Sequence, residues 1–244
     1  MNISRHQIES YFFGDPRSIA ARILFIKRAA RLADYKRHLI QIQEFGNVWH
    51  GVTGLMRGEA ITIIATGIGP GMAGDAVYAL DRPDSVCLYS GTCGGLHNDL
   101  EIGDYFIADR AMCGDGYAGH FGHSSLSEIS GDFRTLESLK TLIIPEVKRA
   151  DHGLTFTTNS VVREADADFW GKVSDKCRII EMATAAFYAG AAAMSKRAAA
   201  YFWVTDLPTR GKSFFDTLAP EDIRTRQDRY DRSVTLDLEL LSAL

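Results

Sequence analysis

The chain has 244 residues, 46% of them hydrophobic and 24% charged, which is ample apolar material for a core and excludes a disordered or fibrous chain. Its 27 basic residues stand against 31 acidic ones, a net charge of -4, and that excludes a protein built to neutralise a nucleic-acid backbone. No apolar run approaches the ~18 residues of a membrane span.

The opening MNISRHQIESYF lacks the basic and then apolar pattern of a secretion signal. Cys87, Cys93, Cys113 and Cys177 are too far apart for a CxxC pair, so a reduced, cytoplasmic protein without metal is expected. Gly14-Asp15-Pro16-Arg17-Ser18 reads as a turn ending in a helix cap at Ser18. From Ile19 to Leu39, apolar residues recur every three or four positions among basic ones, which predicts an amphipathic helix. Strands are predicted over Ala60 to Thr66, Ser85 to Ser90 and Asp104 to Asp109. The first two are near-continuous apolar runs, as in strands covered on both faces. A helix over Gly71 to Leu80 joins them as a βαβ unit. An alanine-rich helix from Thr184 to Ala198 leads into a buried strand, Ala198 to Asp206, and Arg224 to Leu244 is again helical. Alternating strands and helices with no linker predict one α/β domain over residues 1–244, with helices on both faces of a single sheet. Ligands of such sheets gather at the carboxyl ends of strands, here just after Thr66, Ser90, Asp109 and Thr205.

Gly69 to Gly74 spells GxGxxG between a strand and a helix. The dinucleotide fingerprint also needs a carboxylate at the end of the next strand, and Leu88-Tyr89-Ser90-Gly91 has none, which counts against a nicotinamide enzyme. What the glycines do offer is exposed backbone N–H beside a helix start, suited to a phosphate or sugar oxygen. A second glycine-rich loop, Ser90 to Leu96, carries the Thr92 hydroxyl. Cys93 has no His–acid partnership nearby and reads as a small buried filler. The strand before Asp206 is apolar, so that carboxyl is expected to be desolvated, raised in pKa and able to act as a general acid. Arg210 and Lys212 follow closely and could tune it or hold an anion. Alone, Glu181 and Met182 could be a helix cap and a core residue.

In this order, the pieces resemble the nucleoside phosphorylase and nucleosidase superfamily, which includes hexameric purine nucleoside phosphorylases, uridine phosphorylases, methylthioadenosine nucleosidase and AMP nucleosidase. The resemblance runs through Gly14-Asp15-Pro16, Thr66-Gly67-Ile68-Gly69, Gly91-Thr92-Cys93-Gly94-Gly95-Leu96 with Ile102-Gly103-Asp104, Thr157-Thr158-Asn159, Glu181-Met182 and Thr205-Asp206. CGGL, IGDY, TTN and TDLP look most like the AMP nucleosidase catalytic domain, whereas Asp115-Gly116 with His120-Phe121 looks more like uridine phosphorylase. The resemblance implies a three-layer α/β/α sandwich around a mixed, largely parallel sheet. It also implies cleavage of an N-glycosidic bond: Asp206 protonates the leaving base, Thr205 steadies the site, and water or phosphate attacks from the opposite face of an oxocarbenium-like sugar. Gly14, Arg17 and Thr92 would hold phosphate. Gly67, Gly69, Thr92, Cys93, Gly94, Val161, Glu181, Met182 and the position of Ala183 would line the substrate. No cofactor beyond phosphate or water is implied. A homodimer or homohexamer is, with His6, Asn47 and His50 as candidates to reach a neighbour's site.

Three departures shape the expectation. The family's E-M-E becomes Glu181-Met182-Ala183, and a methyl cannot accept the ribose hydroxyls. That points to an unusual sugar, or to an inactivated or deliberately altered site that binds without turnover. The family's phosphate arginines are replaced by Ser18 and Tyr89, which favours hydrolysis over phosphorolysis. Where uridine phosphorylases read the pyrimidine with Gln and Arg, Arg163 to Ala167 places alanines, so a purine nucleoside or nucleotide, with Val161 against its base, is the expected substrate.

Overall fold

The computed structural model describes residues 3–244 except 148, 167, 170–172, 174 and 214. Ten strands form one sheet: β1 (Arg22–Ile26), β2 (Ile40–Gly46), β3 (His50–Met56), β4 (Glu59–Ala65), β5 (Val86–Gly95), β6 (Tyr105–Cys113), β7 (Glu128–Ser130), β8 (Ala150–Thr157), β9 (Ile179–Glu181) and β10 (Arg197–Asp206). The order is β10-β6-β8-β9-β5-β1-β4-β3-β2, with β7 on β6. β10 also pairs with β5, so β5, β10, β6, β8 and β9 close on themselves. The sheet is mixed. Five pairings among the described residues are parallel and five antiparallel.

Helices cover both faces. On one lie α1 (Arg5–Phe13), α3 (Pro70–Ala79) and α5 (Thr184–Ala193); on the other α2 (Leu32–Lys36), α4 (Phe133–Ile143) and α6 (Pro220–Ala243). Two apolar clusters fill the layers between, one holding Phe25, Tyr89, Phe187 and Phe202, the other Leu24, Tyr201, Leu238 and Leu241. All four cysteines are buried, and none is in a disulfide. Among the described residues no helix is long and apolar enough to cross a membrane.

The helix expected from Ile19 to Leu39 is instead strand β1, a 3-10 turn at Ala29–Arg31 and the short α2. Ile23, Leu24, Phe25 and Ile26 are all buried, because β1 lies between β4 and β5 with an apolar layer on each face. A consecutive run of branched and aromatic residues suits that position, and the basic residues around it only mimic a helical period. Ser18 caps nothing; the Asp15 side chain accepts from the Arg17 N–H instead. The alanine-rich helix stops at Ala193, with Ser195 turning at φ 53° before β10 begins at Arg197. The last helix starts earlier than expected, at Pro220, a residue suited to a first helical turn. The second glycine-rich loop is not a loop. β5 runs on to Gly95, and the glycines there make room: a Cβ on Gly95 would come within 2.8 Å of Leu207 Cδ2.

Candidate active site

At the carboxyl ends of β1, β5, β9 and β10 the structure opens into a cavity of about 610 Å³. One wall comes from the strand tips, the other from α6, whose Arg226, Gln227, Tyr230, Ser233 and Asp237 face it. The position is the one that parallel strands create, since their ends are where chain can leave the sheet and groups can converge.

Asp206 closes β10 at 1% exposure. Thr205 Oγ1 donates to Asp206 Oδ1 at 2.7 Å and also lies 3.2 Å from the Cys93 carbonyl. Asp206 Oδ2 is buried with no hydrogen-bond partner, and a Cβ on Gly94 would lie 3.3 Å from it. Burial pushes the Asp206 carboxyl up to about 6, against the opposing pull of the Thr205 hydroxyl and the Arg226 and Lys27 charges.

Glu181 ends β9 at 4% exposure and is held differently. Thr157 donates to its Oε1 at 2.5 Å, and the Ala183 and Thr184 N–H groups donate to Oε2 at 2.6 and 3.0 Å. The carboxyl therefore caps α5 from the cavity wall, and burial raises its pKa while these donors pull it back. Met182, beside it, also lines the cavity.

Lys27, the residue after β1, donates from Nζ to Thr92 Oγ1 at 2.8 Å and to the Thr92 carbonyl at 3.0 Å. Desolvation lowers its pKa, while Glu181, Cys93 and Asp206 raise it. Arg28 and Arg31 follow it into the cavity wall. All three fall inside the stretch expected to be a helix, which hid them. The four-residue apolar run before Lys27 was the available signal.

Of the residues singled out in the sequence, the cavity gathers Thr92, Cys93, Gly94, Val161, Glu181, Met182, Thr205 and Asp206. Gly67 and Gly69 flank it and hold φ of 90° and 115°, but it is Ile68 between them that forms the wall. Ala183 is buried in the core behind Glu181, outside the lining. Gly14 and Arg17 stand off the cavity, and the exposed Arg17 guanidinium pairs with Asp15 at 2.7 Å. That pairing holds the Asp15 carboxyl well below the usual carboxylate range, at about 2. His6, Asn47 and His50 are exposed and outside the lining. Of the expected alanine pair, Ala167 lies outside the described residues. Neither Arg210 nor Lys212 reaches the cavity; they pair with Glu101 and Asp222. Among the described residues no group of three His, Cys, Asp or Glu is placed to hold a metal ion.

The chain belongs to the phosphorylase superfamily, whose sequence profile matches residues 23–242. The match begins inside β1, so Gly14-Asp15-Pro16 lies outside it. Solved structures share the fold at low identity. Uridine phosphorylase from Vibrio fischeri ES114 superposes with a TM-score of 0.80 at 15% identity, covering 94% of this chain and 95% of its own. Purine nucleoside phosphorylase from Toxoplasma gondii in complex with immucillin-H gives 0.77 at 16%, covering 93% of each chain. S-adenosylhomocysteine nucleosidase from Streptococcus pyogenes gives 0.70 at 19%, covering 91% of this chain and 95% of its own. No curated protein matches the sequence.

Proposed function

We propose that the chain cleaves the N-glycosidic bond of a purine nucleoside or nucleotide, with Asp206 as the general acid. One observation carries this reading: Asp206 is buried at the cavity wall, pushed up to about 6, with one carboxyl oxygen that has no partner in the protein. A carboxyl in that state keeps its proton at mildly acidic pH and has a free oxygen from which to deliver it. As the C1′–N bond lengthens, electron density flows into the base, and a proton placed at the purine N7 stops the base from leaving as an anion. The sugar left behind carries oxocarbenium character, and Glu181, fixed by three donors, supplies negative charge at the cavity wall to stabilise it. Thr205 sets the Asp206 carboxyl plane through Oδ1, leaving Oδ2 for the base. Hydrolysis and phosphorolysis share this acid and differ only in what attacks C1′. The phosphorylases and the nucleosidase that share the fold support a reaction of this kind.

The test is release of free base from a panel of purine nucleosides and nucleoside 5′-monophosphates, followed by chromatography, with Asp206→Asn as the control. Release that disappears in the variant supports the reading. Tight nucleoside binding without release from any member of the panel would instead make this a nucleoside-binding protein.

A further inference from the structure

We infer that the wall around Glu181 is built for a 2′-deoxyribosyl group, so that the substrates are 2′-deoxynucleosides in preference to ribonucleosides. The inference rests on the glycosidic reading above and names the sugar within it. It comes from the number of acceptor sites that Glu181 has left. A carboxylate carries four lone-pair sites, two on each oxygen. Three are occupied from inside the protein. Both sites on Oε2 are filled by the Ala183 and Thr184 N–H groups, at 2.6 and 3.0 Å, and one on Oε1 by the Thr157 hydroxyl, at 2.5 Å. Thr157 is itself pinned, because its oxygen accepts from the Ala185 N–H at 2.9 Å. Glu181, Thr157 and Thr184 are all buried, so the end of β8 and the first turn of α5 hold this carboxyl in one setting. One lone pair, on Oε1, remains for a ligand.

Ribose offers two neighbouring hydroxyls, at C2′ and C3′, and a carboxylate reads such a cis-diol by accepting one proton on each oxygen. Glu181 cannot, since Oε2 is full. The next residues along the chain do not make up the deficit. Met182 presents a thioether, a weak acceptor, and Ala183 has no polar side chain and is buried in the core. Val161 and Ile180 in the same wall are apolar, and on the adjoining strand the Thr92 hydroxyl already accepts from Lys27. A ribonucleoside would therefore bring two hydroxyl protons to a carboxylate with one site, and a buried donor without a partner weakens binding. The hydroxyl that is better absent is the one at C2′. It adjoins C1′, where positive charge develops, and its oxygen withdraws electrons from that carbon. A sugar with hydrogen there reaches the oxocarbenium-like state with less help from the protein. The single acceptor left on Glu181 then matches the one ring hydroxyl that stays, at C3′.

The experiment compares affinities and not rates, because the deoxyribosyl bond is intrinsically the more easily broken. Calorimetry on the whole chain carrying Asp206→Asn, which suppresses cleavage, records Kd for adenosine, 2′-deoxyadenosine and 3′-deoxyadenosine, and for the ribo and 2′-deoxy forms of inosine and guanosine. Each pair holds the base constant. The expected result is that the 2′-deoxynucleoside binds about tenfold tighter than its ribonucleoside for every base that binds. Thr157→Val in the same background frees a second site on Oε1 and should cut that preference about threefold or more. Thr157→Ser, which keeps the hydroxyl, should leave it in place. On the chain with Asp206 intact, KM for base release should follow the same order. A ribonucleoside bound as tightly as its deoxy form, a 3′-deoxy form bound tighter than the 2′-deoxy form, or a preference unmoved in Thr157→Val overturns the inference while leaving glycosidic cleavage intact. If Thr157→Val does not fold, the ratios on the parent chain decide alone. No binding and no release with either sugar overturns the glycosidic reading, and the sugar assignment falls with it.

Discussion

Asp206 and Asp237 are each 1% exposed, each line the same cavity, and burial raises the pKa of each, yet their surroundings differ. Asp237, on α6, accepts from the Tyr35 and Tyr201 hydroxyls, one on each oxygen, with Ser90 a further donor. Those contacts tie the last helix to α2, β10 and β5. Asp206, at the tip of β10, has one partner on Oδ1 and none on Oδ2. Burial alone therefore does not mark a reactive carboxyl. Where every oxygen has a donor, a buried acid is a fastener; where one oxygen is left over at a cavity wall, the cost of burying it is explained by a ligand.

The largest expected effect tests the Asp206 half of that contrast. Asp206→Asn should lower base release by about 10²–10⁴-fold, the range that general acids supply, while the far-UV spectrum stays unchanged. A variant that keeps near-wild-type release would dissolve the distinction. The same substitution should not destabilise the fold at alkaline pH. The folded-state pKa is raised, from 3.8 to about 6, so the stabilisation of the protonated form is complete below 3.8 and is lost as pH rises through about 6. Asparagine carries no charge to bury, so the variant should exceed the wild type at pH 8 by about 3 kcal/mol in urea unfolding.

Asp237→Ala should do the reverse. It strands the Tyr35 and Tyr201 hydroxyls inside the protein and is expected to cost about 2–5 kcal/mol of stability, read from the urea midpoint, while folded protein at low temperature keeps most of its activity. Loss of activity without loss of stability would move Asp237 into the chemistry.

The pH dependence sharpens the contrast further. Base release per active site should decline about tenfold per pH unit above about 6, as the Asp206 proton is lost. An activity that instead rises through this range would show that the ionised carboxylate is the working form.

The smallest effect belongs to Gly94→Ala. Its Cβ would meet Ile180 Cγ2 at 3.0 Å and Asp206 Oδ2 at 3.3 Å, crowding the free oxygen. About 1 kcal/mol of stability should be lost, together with a measurable fall in turnover. Unchanged turnover would mean that Oδ2 has room to spare and is not the oxygen in use.

Asp206 was legible as a cavity-wall residue because it ends an apolar strand, where a charged side chain needs a reason to be, whereas Glu181, which read alone as a helix cap, was placed at the cavity only by the resemblance. The strand from Ala198 to Asp206 and the helix after Gly69 were legible for the same kind of local reason: an unbroken apolar run and a glycine–proline start. Lys27 was not, because an amphipathic period and a buried strand flanked by basic residues look alike until the neighbours of β1 are known. The phosphate role read from Gly14 and Arg17 came from a tripeptide whose surroundings the structure places beside the β2–β3 turn, where a Cβ on Gly14 would face Gly46, and not against Thr92.

By itself, then, the sequence determined the layered α/β class, the carboxyl at the end of the last strand and the glycines that let chains approach one another, since hydrophobic runs and backbone sterics act over a few neighbouring residues. Only the tertiary structure decided that Lys27 meets Thr92, that Asp237 is fully partnered, and that Asp206 is not. Those facts depend on strands 65 and 112 positions apart in sequence, Lys27 with Thr92 and Cys93 with Thr205, becoming neighbours, and on the count of donors each buried oxygen finds once they do.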